Sequence, residues 1–135
     1  MGYRSDVRIR LTKEDFERLK EEFEKRLIET NELEYSMFKN LDIYKEESDK
    51  TIFIHNQHTG WEEQSVYSVY FGWNGVKWYN GYEDVDFITN FVFDCEQYAF
   101  IRIGESSEGD IENIAEGFDC IDFYYAFDDD EGGNV

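Results

Sequence analysis

Asp6-Val7-Arg8-Ile9-Arg10-Leu11-Thr12-Lys13-Glu14-Asp15-Phe16 decides the fold class of this chain, because the apolar period changes within it. Val7, Ile9 and Leu11 alternate with Asp6, Arg8 and Arg10, which is the two-residue period of a half-buried strand. From Thr12 onward the spacing switches. Phe16, Leu19, Phe23 and Leu27 recur at intervals of three and four, so a helix is predicted over 13–29. Thr12 is placed to cap it, with Asp15 at the capping-box position. Glu14/Arg18, Glu21/Lys25 and Glu22/Arg26 stand four apart with the acid N-terminal, the stabilising polarity on a helix.

Working outward, 31–50 is ambiguous, with Leu41, Ile43 and Tyr44 in a short strand or a packed loop. Thr51 to His55 reads as a strand, and after a loop around Gly60 so does Val66 to Trp73. Asn74-Gly75 is a turn, after which Val76 to Tyr79 either pairs back as a hairpin arm or leads into the next helix. Glu83, Asp84 and Asp86 put negative charge in the first turn of a helix carrying Val85, Ile88, Phe91, Val92 and Cys95. Ala99 to Ile103 is then a strand, Gly109 to Glu116 a short helical turn and Ile121 to Phe127 a final strand. The acidic stretch 128–135 reads as a frayed tail behind a single domain over 1–127. This order implies an α+β fold: an antiparallel sheet of four to five strands with two main helices on one face, ferredoxin-like or split βαβ.

Composition agrees with a sheet-based core. The 135 residues include 12 Phe, 10 Tyr and 3 Trp but few leucines, and aromatic side chains suit pleated, half-buried surfaces. No apolar run approaches the roughly 20 residues of a membrane span, and the first residues carry no apolar core of a secretory signal, so the expected address is cytoplasmic. Cys95 and Cys120, alone and without a CxxC spacing, are expected to be reduced and buried.

Charge is the strongest signal. The chain holds 13 basic and 32 acidic residues, a net of −19. Residues 1–50 carry 11 Lys/Arg against 14 Asp/Glu, whereas the remainder has only Lys77 and Arg102 against 18 acids. Such a field repels nucleic acid and anionic membranes and steers the protein toward basic surfaces. It also opposes self-association, so a monomer or weak dimer is expected.

Motifs for chemistry are sparse. His55 and His58 lie three apart without a third ligand, which favours an exposed loop pair over a metal site. Asp84/Asp86 and Asp119/Asp122 are carboxylate pairs of a kind that an acidic chain produces by chance. No GxSxG, no phosphate-cradling glycine loop and no histidine partnered with a cysteine occurs, so neither catalysis nor a cofactor is expected. Trp61, Trp73, Trp78 and Tyr79 would stack bases only with cations that this half lacks, leaving core packing or a protein contact. Arg102 reads as one arm of a structural ion pair.

Three stretches resemble one family. Gly2-Tyr3-Arg4-Ser5-Asp6-Val7 opens the chain, Val76-Lys77-Trp78-Tyr79 leads to Tyr82 and Val85, and Phe100-Ile101-Arg102-Ile103-Gly104-Glu105 precedes Asp110-Ile111-Glu112. Together they resemble a family of small proteins encoded by bacteriophages and prophages. The resemblance implies action inside a bacterial host cell and carries no activity or site residues with it. The acid-rich second half and the aromatic segment from Trp61 to Trp73 depart from that pattern.

The expected function is counter-defence, anti-CRISPR activity included. An acidic face imitating nucleic acid would bind and inhibit a basic host defence protein. Its partner-binding residues would be Glu83, Asp84, Asp86, Glu105, Glu108, Asp110, Glu112 and Glu116, with Trp78 and Tyr79. Two alternatives remain: a binder of a small molecule or nucleotide signal near Trp78, Tyr79 and Arg102, and a phage structural or morphogenesis protein.

Overall fold

The computed structural model describes residues 4–30, 36–104, 110–122 and 126–127. Its elements run β1 (Ser5–Thr12), α1 (Lys13–Thr30), a 3-10 turn (Met37–Lys39), β2 (Ile43–Asn56), β3 (Gly60–Val76), α2 (Glu83–Asp94), β4 (Tyr98–Gly104) and β5 (Ile111–Glu116). The strands form one sheet in the order β2-β3-β1-β4-β5, each neighbouring pair antiparallel. β3 thus lies between β1 and β2, which is the split βαβ arrangement, and β5 extends the far edge.

The alternation in β1 does what its period requires. Val7, Ile9 and Leu11 are fully buried on one face, against Phe16, Leu19 and Phe23 of α1 and Val85, Ile88 and Val92 of α2. Both helices therefore cover the same face. Its aromatic packing is mostly edge-on, as between Phe16 and Phe71 at 4.8 Å or Phe23 and Phe38 at 5.1 Å, the geometry favoured by ring quadrupoles. The Asp15 N–H donates to Thr12 Oγ1 at 3.2 Å, so the predicted cap forms.

The opposite face carries Arg8, Arg10, Ser68 and Tyr70, roofed by Phe118, Ile121 and Ala126. β2 and β3 run on past the sheet as a two-stranded arm that bends over this face, burying Ile52. The Phe53 N–H donates to Gly117 O at 2.7 Å, so the two edges of the sheet meet at this point.

Four local expectations change. Within the ambiguous 31–50 region a long strand begins at Ile43, because β3 offers it backbone partners on both sides of a register shift between Glu47 and Lys50. Asn74-Gly75 is a bulge rather than a hairpin turn: Ser5 still pairs with Val76, the Asn74 N–H donates to Asp42 and the Gly75 N–H to Asp6. The helical turn expected at 109–116 is strand β5, since Ile111 to Ala115 pair with β4 and offer it backbone partners that a helix would withdraw. The expected strand over 121–127 is absent among its described residues. The Ala126 N–H instead donates to Asp122 O at 2.9 Å, and Ile121 and Ala126 pack on the second face. The tail at 128–135 lies outside the described residues. Neither cysteine is in a disulfide, and Cys120 is exposed rather than buried.

Gly72 and Gly75 separate two roles of glycine. A Cβ on Gly72 would overlap the Val7 carbonyl oxygen, where backbone cannot yield, whereas at Gly75 it would meet open space but sit at φ +62°. Gly72→Ala should therefore cost about 3 kcal/mol, and Gly75→Ala only about 1 kcal/mol from the left-handed backbone. Urea denaturation of the two variants checks the order.

Candidate functional site

The first surface is the acidic end of the molecule, where β1 starts and β3 and β4 finish. At the head of α2, Glu83 is exposed, Asp84 Oδ1 accepts from the Val85 N–H at 2.9 Å and Asp86 Oδ1 accepts from the Gly81 N–H at 3.0 Å. Asp84 thus accepts a free amide of the first turn, and Asp86 reaches back to the amide just ahead of the N-cap residue Tyr82. A cavity of about 250 Å³ adjoins them, lined by Asp84, Tyr82, Lys77, Arg4, Asp42 and Trp73 among others.

Asp110 and Glu112 are held by Arg102. Its Nη2 donates to Asp110 at 2.7 Å, its Nε to Glu112 at 2.7 Å and its Nη1 to Ser5 Oγ at 2.8 Å. Burial alone would lower the Arg102 guanidinium, but the hydrogen bonds and charges of Asp110 and Glu112 outweigh it and raise its pKa. The structural reading of Arg102 is the one its geometry supports. Glu116 is exposed at the end of β5, and Glu105 and Glu108 lie outside the described residues. Trp78 belongs to the core: it is 7% exposed, between Trp73 at 5.6 Å and Phe100 at 6.2 Å, so it is no contact residue. Tyr79 is half-buried against Tyr82. The cavity at this end is not lined by Trp78, Tyr79 or Arg102, so those three do not converge on a ligand pocket there.

The second surface was not legible in the sequence. Glu46 on β2 accepts from Tyr67 Oη at 2.6 Å, Tyr44 Oη at 2.8 Å and Lys13 Nζ at 3.1 Å, joining β2, β3 and the head of α1. Tyr67, Tyr44 and Lys13, in that order of effect, hold the Glu46 carboxyl down at about 2. Burial and the Glu46 hydrogen bond push the Tyr44 phenol up to about 12. Only the Tyr44/Glu46 spacing on one strand face hinted at this, and Tyr67 lies 21 residues from Glu46.

Beside this junction a groove of about 820 Å³ opens between α1 and the β2–β3 arm. Val66 and Tyr67 form one wall, and Glu14, Glu17, Glu21 and Glu22 stand along the helix on the other. Two of the three cations expected to neutralise this helix have other partners, and Lys25 is exposed. Arg18 pairs with Asp15 at 3.0 Å and lies over the Phe91 ring, and Arg26 lies over Phe87. No ion pair is formed by Glu14, Glu17 or Glu21 among the described residues, although the charge of Lys13 reaches Glu17, so this row faces the groove with its carboxylates unpaired.

No group of three or more His, Cys, Asp or Glu is placed to hold a metal among the described residues. His55 packs edge-on against Trp61, which is 70% exposed on the arm. Burial, followed by Asp15, pushes the Cys95 thiol up to about 12, which favours the thiol over the thiolate at neutral pH. No described helix is long and apolar enough to cross a membrane. No protein-family model, curated protein or solved structure matches this chain.

The Glu46 junction sets a pH dependence. A depressed folded-state carboxyl contributes stability above its unfolded pKa and loses it as pH falls through the folded value. The stability gap between the native protein and Glu46→Gln should thus be constant from neutral pH down to the ordinary glutamate range. It should close as pH drops toward about 2. Urea midpoints of both proteins across that range measure it, and a gap that widens with acid would contradict the assignment.

Proposed function

We infer that this protein binds and inhibits a basic protein surface of the kind that otherwise holds nucleic acid, as a phage-type counter-defence protein acting in a bacterial host. One observation carries the reading: the exposed cations belong almost entirely to the first fifty residues, and the second half of the chain turns an acidic exterior outward. Arg8 and Arg10 are buried, and Arg102 is engaged by three groups of its own chain. In residues 51–135 that leaves Lys77 to face solvent against 18 acids. An exterior so depleted of positive charge attracts lysine and arginine surfaces and repels phosphates. The resemblance to phage and prophage proteins supports the cellular setting.

Asp110 and Glu112 share the single charge of Arg102, while among the described residues Glu83, Glu116 and the helix row Glu14, Glu17 and Glu21 have no such partner and remain outward. No catalytic role is proposed.

The test is a partner captured from bacterial extract and then purified. Its affinity should fall at least about tenfold between about 50 and 200 mM monovalent salt, because the contact replaces counterions much as a phosphate backbone does. The partner's own nucleic acid should compete. Salt-insensitive binding, or a ternary complex of partner, nucleic acid and this protein, would refute the proposal.

A further inference from the structure

The groove between α1 and the β2–β3 arm has the chemistry of a docking site for a particular kind of segment. On its helix side, Glu14, Glu17 and Glu21 are spaced by three and four, so they form one row about 10 Å long at 1.5 Å per residue. On its sheet side, Val66 and the Tyr67 ring give an apolar wall, and Tyr67 is 46% exposed there. The wall is rigid. The Tyr67 hydroxyl is fixed on Glu46, which is also held by Tyr44 and Lys13. The two cations at the groove are already engaged, Lys13 with Glu46 and Arg18 with Asp15. A second cavity of about 430 Å³ shares Thr12, Glu14, Arg18 and Val66 with the groove and continues it past Asp94 and Glu96, so the acidic lining is extended at that end.

Charge complementarity commits the occupant. We propose that this groove receives a basic amphipathic helix of a partner protein, laid along α1. Lysines or arginines spaced by three and four would face the glutamate row, and an apolar side chain would seat on Tyr67 and Val66. A matching helical spacing meets the row residue for residue, which an extended strand with its two-residue period does not. An all-polar anion or nucleic acid would meet four glutamates and is rejected. The inference rests on the proposed binding of a basic protein surface and places the contact on α1 rather than at the head of α2.

The probe is a fluorescein-labelled amphipathic helical peptide of lysine and leucine, followed by anisotropy against the full chain. Three variants decide. Glu17→Lys/Glu21→Lys reverses the groove row, Glu83→Lys/Asp84→Lys makes the same change in net charge at the acidic end, and Tyr67→Ala removes the apolar wall. The groove reversal should weaken peptide binding by about tenfold or more and the end reversal by less than about twofold, because only contacts within a Debye length escape screening. Tyr67→Ala should weaken it by about fivefold, and Tyr67→Phe, which keeps the ring and drops the Glu46 bond, should bind nearly as the native protein does. Unchanged circular dichroism melting guards against misfolding, and Tyr67→Phe keeps the aromatic arm of the test readable if Tyr67→Ala does not fold. Backbone amide shifts on peptide addition should fall on α1 and Val66–Tyr67. Equal weakening by the two reversals, or shifts centred on α2, would overturn the groove while leaving binding of a basic surface intact. No binding of the peptide at low salt would overturn the helical occupant, and the salt test on a captured partner then decides the broader reading separately.

Discussion

Two buried guanidinium groups on the central strand impose the main constraint on this fold. Arg8 and Arg10 alternate with the apolar residues of β1, so packing the helices on one face drives both arginines into the other. A buried cation left without acceptors costs several kcal/mol, so the second face must supply them. Arg8 donates to the carbonyls of Val7 and Trp73 and to Asn74 Oδ1, and its guanidinium lies over the Phe127 ring. Arg10 forms a two-point contact with Glu47, both side chains being 8% exposed. Burial would raise the Glu47 carboxyl, but the Arg10 hydrogen bond and charge, with Lys50 and Ser68, outweigh it and hold it below its ordinary value. Burial also pulls the Arg8 guanidinium below its usual pKa, against the charges of Tyr70, Asp6 and Asp42.

Much of the topology follows from satisfying those groups. Glu47 reaches Arg10 only because β2 lies beyond β3 on the same side, bridged by Ser68, whose hydroxyl also donates to Glu47 at 3.3 Å. Below Glu47 the ladder shifts register before Lys50, and from there the arm turns over the second face toward Gly117. Phe118, Ile121 and Ala126 pack on this face beside Tyr70, while Arg10 still lines a cavity of about 380 Å³ there. A strand at 121–127 would have joined an edge. Ile121 and Ala126 pack on the second face instead.

The same demand shapes the exterior. Each arginine drawn into the fold is one fewer cation at the surface, and Arg18, Arg26 and Lys13 are diverted to Asp15, to aromatic faces and to Glu46. The aromatic richness of the core matters here, because Phe87 and Phe91 offer guanidinium groups a flat partner that competes with helical neighbours. The outcome is a helix whose acids look paired in sequence yet stand open along a groove. Negative charge on this molecule is therefore patterned by its core, not only by its composition.

Local periodicity determined β1, α1 and its Thr12 cap, α2, the centre of β3, and β4, because each signal is complete within one or two turns or pleats. The net charge and its concentration after residue 50 were equally legible, being properties of composition. Partner choice was not. Arg18 prefers Asp15 to Glu14 because Phe91 of α2 lies where its guanidinium settles. Trp78 packs inward because Trp73 and Phe100 flank it. Glu46 gathers Tyr44, Tyr67 and Lys13 only once β2, β3 and α1 meet. The identity of β5 likewise depended on β4 presenting an open edge, since Ile111 and Ile114 fit a helical turn by spacing alone. Sequence determined where apolar faces had to be buried. The tertiary structure decided which charges remained free to act, because ion pairing depends on distances between elements that no local pattern encodes.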